Sequence, residues 1–206
     1  MKAPAALAVH RLGPHHVAPI TRHLLRLDPE DRRLRFGRAM RDEALQAYVA
    51  GIDFARDRVF GVFGDDLELA GVAHLAMDDA AGEAELGLSV DAALRGRGYG
   101  MALLRRAVLH ATNRGYRALL MHCLAENAAM LHLARKAGLR TVVAAGEADA
   151  HLALDRALHG GAIREAMEDQ FALVDYLLRQ QHAWLAQHRP RPARSAQTAV
   201  NRSSTS

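Results

Sequence analysis

The stretch "LRGRGYG", residues 94–100, lies between a run with the pattern of a β-strand and a run with the pattern of an α-helix. Glycine occupies every second position from 96 to 100, and Arg95 and Arg97 stand among the glycines. The first N–H groups of a helix have no partner inside it, and the helix dipole adds partial positive charge there. Glycines let a phosphate approach these groups, and arginine can grip phosphate with two donors. The stretch therefore predicts a loop that binds a diphosphate.

The segments that flank this loop have different periods. Residues 82–90, "GEAELGLSV", alternate as a strand does, with one face formed by Ala84, Leu86, Leu88 and Val90 and the other by Glu85, Gly87 and Ser89. Residues 101–115, "MALLRRAVLHATNRG", predict a helix that ends at Gly115 and buries Leu103, Leu104, Ala107, Val108 and Ala111. Strand, glycine loop and helix thus follow one another directly.

Two common nucleotide loops do not fit this stretch. A dinucleotide loop reads GxGxxG, but its third glycine would fall on Met101. The preceding strand is also the third of three consecutive strands, because "RVFGVFG" (58–64) and "LELAGVAHLAM" (67–77) read as a hairpin before it. A GxxxxGK[ST] phosphate loop is absent from the sequence.

The remaining segments predict a mixed α/β chain. A first strand is expected in 6–12, and helices in 15–27, 28–37 and 41–52, of which the second has Asp28 as N-cap, Pro29 at its first position and Gly37 as its stop. Residues 116–124 read as a buried strand, 127–138 as a helix from Asn127 to Gly138, and 141–146 and 150–154 as two last strands. A long helix follows over 161–187, with Ile163, Met167, Phe171, Val174 and Leu178 on one face that we expect to pack or to form a dimer contact.

These motifs together resemble the GNAT superfamily of acetyltransferases. Arg95, Gly98 and Gly100 fill the three fixed places of its [RQ]xxGx[GA] signature, and Asn127, Lys136, Gly138 and Leu139 match its next motif. The resemblance implies an α/β (α+β) GNAT fold, with a mixed, mostly antiparallel sheet of about six to seven strands flanked by helices and an added C-terminal helix. It further implies a GNAT domain over 1–155, a helical extension over 156–187 and a basic tail over 188–206.

The resemblance also implies an N-acetyltransferase with acetyl-CoA as co-substrate and no metal. In the family, the main-chain amides of the loop hold the pyrophosphate of acetyl-CoA, and the pantetheine arm inserts between two splayed strands. These roles would fall on Leu88, Ser89, Val90, Arg95, Gly96, Arg97, Gly98, Tyr99, Gly100 and Asn127. One N–H group of residues 88–90 would polarise the thioester carbonyl.

The acid and the base of the reaction are less clear from the sequence. Glu85 is the candidate base that takes a proton from the amine, and it could equally be an exposed strand residue in a salt bridge. Many relatives carry a tyrosine, as general acid, where this chain has Ala134; Tyr116 is a remote substitute. Cys123, beside His122, reads as a buried thiol more than as a nucleophile.

The acceptor would be a small-molecule or peptide amine whose identity the sequence does not give. In this superfamily the first helices and the later strands usually select it, which here means residues 27–40 and the region around "EADAHLAL" (147–154). Within the first region, Arg33, Arg35 and Phe36 could meet an acceptor that carries a carboxylate, or they could be solvated helix residues and one core aromatic.

Composition limits the other function classes. The formal net charge of +4 comes from the tail, since residues 188–206 contain four Arg and no acid. We expect this Pro-, Ser- and Arg-rich tail to be disordered and do not favour nucleic-acid binding. A single cysteine and the lack of a 20-residue apolar run predict a cytoplasmic protein without disulfides or membrane partners. A homodimer is expected on family grounds. The alternative function is a non-catalytic acyl-CoA sensor or docking module of the same fold.

Overall fold

The computed structural model describes residues 7–154 and 161–187. Within them one sheet holds seven strands in the order β1-β2-β3-β4-β5-β7-β6. The strands are β1 (His10–Leu12), β2 (Arg58–Phe63), β3 (Leu69–Asp78), β4 (Glu83–Val90), β5 (Ala118–Leu124), β6 (Arg140–Ala144) and β7 (Glu147–Ala153). Only β4 and β5 pair in parallel; the other neighbours are antiparallel. The structure confirms the predicted mixed, mostly antiparallel sheet.

Helices cover both faces of the sheet. They are α1 (Val17–Arg26), α2 (Pro29–Phe36), α3 (Asp42–Ala50), α4 (Tyr99–Asn113), α5 (Ala128–Lys136) and α6 (Gly161–Gln187). On one face, α4 and α5 pack on the apolar side of β4 that the alternation predicts, Ala84, Leu86, Leu88 and Val90. On the other face, α1 and α3 bury Leu24, Leu45 and Val49 against β2 and β3. The sheet is therefore the middle layer of three.

The helix boundaries follow from local signals in the sequence. The Asp28 carboxylate accepts a hydrogen bond from the Asp31 N–H at 2.7 Å, and Gly37 ends α2 in the left-handed conformation at φ +72°. The Asn127 side chain accepts from the Met130 N–H at 3.0 Å and starts α5 in the same way. These caps satisfy N–H groups that the helices leave without internal partners, and they set where α2 and α5 begin.

The long helix α6 has the predicted bounds but buries another face. The stripe predicted to pack, Ile163, Met167, Phe171, Val174 and Leu178, is more than half exposed at every position. The helix instead turns Glu165, Asp169 and Ala172 toward α4 and β1, where the buried Arg106 and His110 of α4 receive the carboxylates. The buried charge of Arg106 selects the acidic side of the helix. The prediction that the apolar stripe packs within the chain is therefore wrong, and its role as a dimer contact stays a prediction.

Some predictions fall outside the described residues. The basic tail lies wholly outside them, as do residues 155–160, where the predicted GNAT domain would end. The division into domain, extension and tail therefore stays a prediction. No helix among residues 7–154 and 161–187 is both long enough and apolar enough to cross a membrane.

Candidate active site

The strands β4 and β5 separate halfway along their length. Their parallel pairing joins residues 83–85 to residues 118–120 and then stops, although both strands continue for several residues. Residues 86–90 of β4 therefore have no strand partner on their β5 side. The opening leaves main-chain hydrogen-bonding groups of a central strand available to a ligand.

The period of the strand shows which groups face this opening. The Asp91 N–H donates to the carbonyl of Ala70 in β3 at 2.9 Å. Main-chain groups in a strand change side at every residue, so the N–H groups of Gly87 and Ser89 also point to β3, whereas those of Leu88 and Val90 point into the opening. The Ser89 hydroxyl bonds instead to Nε2 of the buried His23 at 2.9 Å on the opposite face. Of residues 88–90, which were predicted to bond the pantetheine arm through the main chain, Leu88 and Val90 are therefore the two whose N–H groups face the opening.

The glycine loop closes one end of the opening. Gly96 and Gly98 have φ of +74° and +91°, a backbone conformation that residues with a side chain rarely adopt. Gly98 is the N-cap of α4. Gly100 lies in the first turn of the helix with ordinary φ. Among the described residues, the N–H groups of residues 96–98 make no hydrogen bond. Together with the first-turn N–H groups of α4, they form a set of donors suited to an anion.

A cleft joins the loop to the opening and brings the predicted residues together. Its lining includes Leu88, Ser89, Val90, Arg95, Gly96, Gly98, Tyr99, Gly100 and Asn127. Of the ten residues predicted to bind the cofactor, Arg97 alone is not part of this lining. Arg95 reaches across to α2, where its guanidinium lies 2.6 Å from the Asp31 carboxylate, and that pair would have to open for Arg95 to bind phosphate.

Helices α2 and α5 supply walls of the cleft that the sequence did not predict. Leu34 and Arg35 line it from α2, and His132, Leu133 and Lys136 line it from α5. Asn127 ties the two walls together, because its amide nitrogen donates to the Leu34 carbonyl at 3.3 Å. Lys136 belongs to the second motif of the sequence and Arg35 was a candidate for the acceptor. No motif marks Leu34, His132 or Leu133, because their place in the cleft depends on how α2 and α5 pack on the sheet.

A second, more polar pocket lies on the other side of the central strand. Its lining comprises Arg35, Phe36, Gly37, Tyr48, His74, Ala76, Glu85, Leu86, Gly87, His122, Cys123, Leu124, Glu147 and Asp149. It contains Glu85, the predicted base, and two carboxylates from the predicted region 147–154. Two pockets thus meet at the separation of β4 from β5, the cleft with its anion donors and this pocket with its carboxylates.

Arg35 forms the boundary between the two pockets. It lines both, and its guanidinium occupies the space where a side chain at Gly87 would stand. Among the described residues, no carboxylate lies within 4.0 Å of it; its closest polar partner is the Tyr48 hydroxyl at 3.3 Å. Of the three residues predicted to meet the acceptor, Arg35 and Phe36 line the pocket, whereas Arg33 pairs with Glu30 and Glu126 on the surface.

Cys123, His122 and Tyr116 are the remaining residues that the sequence suggests for the chemistry. Burial raises the pKa of the Cys123 thiol, and no hydrogen bond joins it to a histidine among the described residues. Its neighbour His122 lines the second pocket, where its Nδ1 lies 2.6 Å from the Asp149 carboxylate. The Tyr116 hydroxyl donates to Asp79 beyond the end of α4 that is remote from the loop, so it is not placed to act as the acid. The described residues contain no cluster that could hold a metal ion.

Comparison with known proteins gives a consistent result. Residues 21–139 match the sequence model described as Acetyltransferase (GNAT) family. Comparison with curated proteins found no match.

Similar solved structures share the fold. The GNAT domain of S. lividans PAT aligns with a TM-score of 0.62 at 19% identity, over 74% of this chain and 96% of that one. A GCN5-related N-acetyltransferase from Kribbella flavida aligns at 0.59 and 23% identity, over 74% and 100%. Spermidine N-acetyltransferase from Vibrio cholerae, in complex with CoA and spermine, aligns at 0.55 and 16% identity, over 72% and 96%. At these identities the likeness establishes the fold alone.

Proposed function

Because this chain belongs to the GNAT family of acetyltransferases, we propose that it transfers the acetyl group of acetyl-CoA to a primary amine. The observation that carries this proposal is the separation of β4 from β5 beside the glycine loop. It supports the proposal because N–H donors suited to a diphosphate and free strand groups suited to an extended arm lie along one continuous cleft. A second, carboxylate-lined pocket reaches the same point from the other side and provides an entrance for the amine.

The residues of the cleft fit the parts of acetyl-CoA in order. The N–H groups of residues 96–100 would receive the pyrophosphate, and Leu88 and Val90 would bond the pantetheine arm as a neighbouring strand does. An N–H donor of this kind stabilises the oxyanion of the tetrahedral intermediate and typically contributes about 10²–10³ in rate. Asn127, already fixed as the cap of α5, would lie beside the arm.

The second pocket supports an acceptor that is cationic before reaction. Glu85, Glu147 and Asp149 line it, and carboxylates attract an ammonium group. Glu85, which the sequence suggested as the base, has an exposed carboxylate on β4. Since the V. cholerae relative was solved with spermine, polyamines belong in an acceptor screen together with amino acids and peptides.

A thiol-release assay with acetyl-CoA and a panel of amines tests the reaction. We expect CoA to appear only when a suitable amine is present. Tight binding of acetyl-CoA without release for any amine would instead support the non-catalytic sensor. In either case, calorimetry with CoA measures binding to the cleft independently of acetyl transfer.

Gly98→Ala tests the binding loop, and Gly115→Ala is its matched control. Gly98 and Gly115 lie at opposite ends of α4, both with φ between +80° and +95° and with no close neighbour where a Cβ would stand. Alanine at either position should cost about 1–2 kcal/mol of stability through backbone strain. Only Gly98→Ala should also weaken CoA binding, by at least about tenfold, or about 1.4 kcal/mol. Equal CoA affinity in both variants would show that the loop is not the phosphate site.

A further inference from the structure

Three side chains from separate segments meet in the wall of the acceptor pocket. Tyr48 comes from α3, His74 from the middle of β3, and Asp57 from the residue just before β2. Tyr48 and His74 line the pocket, and Asp57 lies behind them with its side chain 5% exposed. None of the three belongs to a motif of the sequence, and the cofactor cleft does not use them.

Hydrogen bonds connect the three residues in a line. Nε2 of His74 lies 3.1 Å from Oδ2 of Asp57, and Nδ1 of His74 lies 2.6 Å from the Tyr48 hydroxyl. The other oxygen of Asp57 accepts from Arg56 at 3.0 Å and from the Met77 N–H at 3.3 Å. The Tyr48 ring is held edge-on between Phe36 and His74. The line therefore runs from a fixed buried carboxylate to a hydroxyl at the pocket.

The chemistry of the groups assigns the hydrogens. An ionised carboxylate only accepts hydrogen bonds, so Nε2 of His74 carries the proton toward Asp57. In a neutral imidazole the other nitrogen then accepts, so Nδ1 takes a hydrogen bond from the Tyr48 hydroxyl. One lone pair of the Tyr48 oxygen accepts the hydrogen bond from Arg35 at 3.3 Å, and the other remains available to a donor in the pocket. An ammonium group is such a donor.

The surrounding charges keep the line in this state at neutral pH. Burial lowers the pKa of His74, and the hydrogen bond and charge of Asp57 offset this only in part. The other charged groups that face the His74 ring are Arg35 and Glu85; the charge of Arg35 also lowers the pKa of His74, and the charge of Glu85 raises it. Burial acts to raise the pKa of Asp57, but its bonds from Arg56, His74 and Met77 outweigh this and hold it below its ordinary value. His74 is therefore neutral and Asp57 ionised.

We propose that Tyr48, His74 and Asp57 form a proton relay that deprotonates the acceptor ammonium, a role that rests on the proposed acetyl transfer. The ammonium gives one proton to the Tyr48 oxygen while the phenolic proton moves to Nδ1 of His74. The freed lone pair of the amine attacks the thioester carbonyl and forms the C–N bond. When the tetrahedral intermediate collapses, the electron pair of the C–S bond leaves with sulfur. The second proton of the nitrogen passes to the thiolate, and His74 releases the first to solvent.

Each member of the line then has a distinct task. Tyr48 is the catalytic residue, because it touches the acceptor, and His74 stores the proton. Asp57 is a positioning residue that fixes the tautomer of His74 and stabilises the imidazolium. The exposed Glu85 attracts the ammonium to the pocket, whereas the relay takes its proton.

Histidine NMR tests the line without an acceptor. In the wild-type protein, ¹⁵N shifts should show His74 as the Nε2–H tautomer with a pKa below the ordinary 6.5. Tyr48→Phe should change the Nδ1 shift, and Asp57→Asn should change the tautomer population. Tyr176→Phe removes a hydroxyl outside the pocket and should leave His74 unchanged. A His74 protonated on Nδ1, or one that is insensitive to Tyr48→Phe, overturns the relay.

Kinetics with the fastest amine of the panel test its role. As the pH rises, kcat/KM of the wild type should level off once His74 is neutral. In Tyr48→Phe, kcat/KM should be about 100-fold lower than in the wild type at pH 7 and should increase about tenfold per pH unit toward the pKa of the amine. A hydroxylamine nucleophile, already neutral, should react with both proteins at similar rates. A Glu85→Gln variant should raise KM and keep the wild-type pH profile. If Tyr48→Phe matches the wild type at every pH, the relay alone is overturned; if the wild type binds acetyl-CoA and acetylates no amine, the proposed function falls and the relay with it.

Discussion

The contact between α6 and α4 should depend on pH through one carboxylate. The Arg106 side chain is 1% exposed, and its guanidinium lies 2.9 Å from Glu165 and 2.5 Å from Asp169. Glu165 also contacts Nδ1 of His110 at 2.5 Å and accepts from the Asn113 amide at 2.7 Å. Burial acts to raise the pKa of Glu165, but the bonds from His110 and Asn113 and the charge of Arg106 bring it down from 4.5 to about 2.

This shift gives the magnitude of the effect. A carboxyl group with a lowered pKa stabilises the folded state above its unfolded pKa and loses that contribution as the pH falls through the folded value. At roughly 1.4 kcal/mol per pKa unit, the full contribution of Glu165 is about 3 kcal/mol, of which about 2 kcal/mol is lost between pH 6 and pH 3. Glu165→Gln should therefore lower the free energy of unfolding at pH 7. It should also make that free energy depend less on pH between pH 6 and pH 3.

Urea unfolding followed by circular dichroism at pH 7, 6, 5, 4 and 3 measures this difference. Glu168→Gln is the matched control, because Glu168 lies on the same helix, is 38% exposed and approaches Arg106 only to 3.8 Å. It should change the free energy of unfolding by less than about 1 kcal/mol at any pH. If Glu165→Gln and the wild type lose stability in parallel on acidification, the assignment of the cluster as the pH-dependent contact is refuted.

Two further predictions concern the pocket boundary and the exposed helix face. Gly87→Ala should displace the guanidinium of Arg35, a flexible group, and leave the fold intact. Both this variant and Arg35→Ala should lower KM for a cationic amine, because each moves or removes a positive charge at the boundary of the pocket. The double variant should match Arg35→Ala alone, because both substitutions act on the same guanidinium, and additive effects on KM in steady-state kinetics would contradict this. Phe171, 55% exposed on α6, belongs to the face predicted to form a dimer contact. Phe171→Glu should lower the sedimentation mass of the protein toward that of one chain, and an unchanged mass would place the contact elsewhere.

The sequence by itself determined the elements and the loop. The caps at Asp28 and Asn127, the left-handed glycine at position 98 and the alternation along β4 are all set by interactions between residues a few positions apart. Such patterns can be read along the chain because their partners are close in sequence. The same local signals carried the resemblance that led to the cofactor cleft.

Only the tertiary structure decided which side chains meet across the sheet. The line from Tyr48 to Asp57 joins three segments, and its members have ordinary sequence surroundings. The face that α6 buries was likewise set by the buried charge of Arg106 and by its neighbour His110, both on another helix, against the apolar pattern of α6 itself. A buried charge must be paired, and its partner comes from wherever the fold brings a carboxylate, so no period along one segment could have shown it.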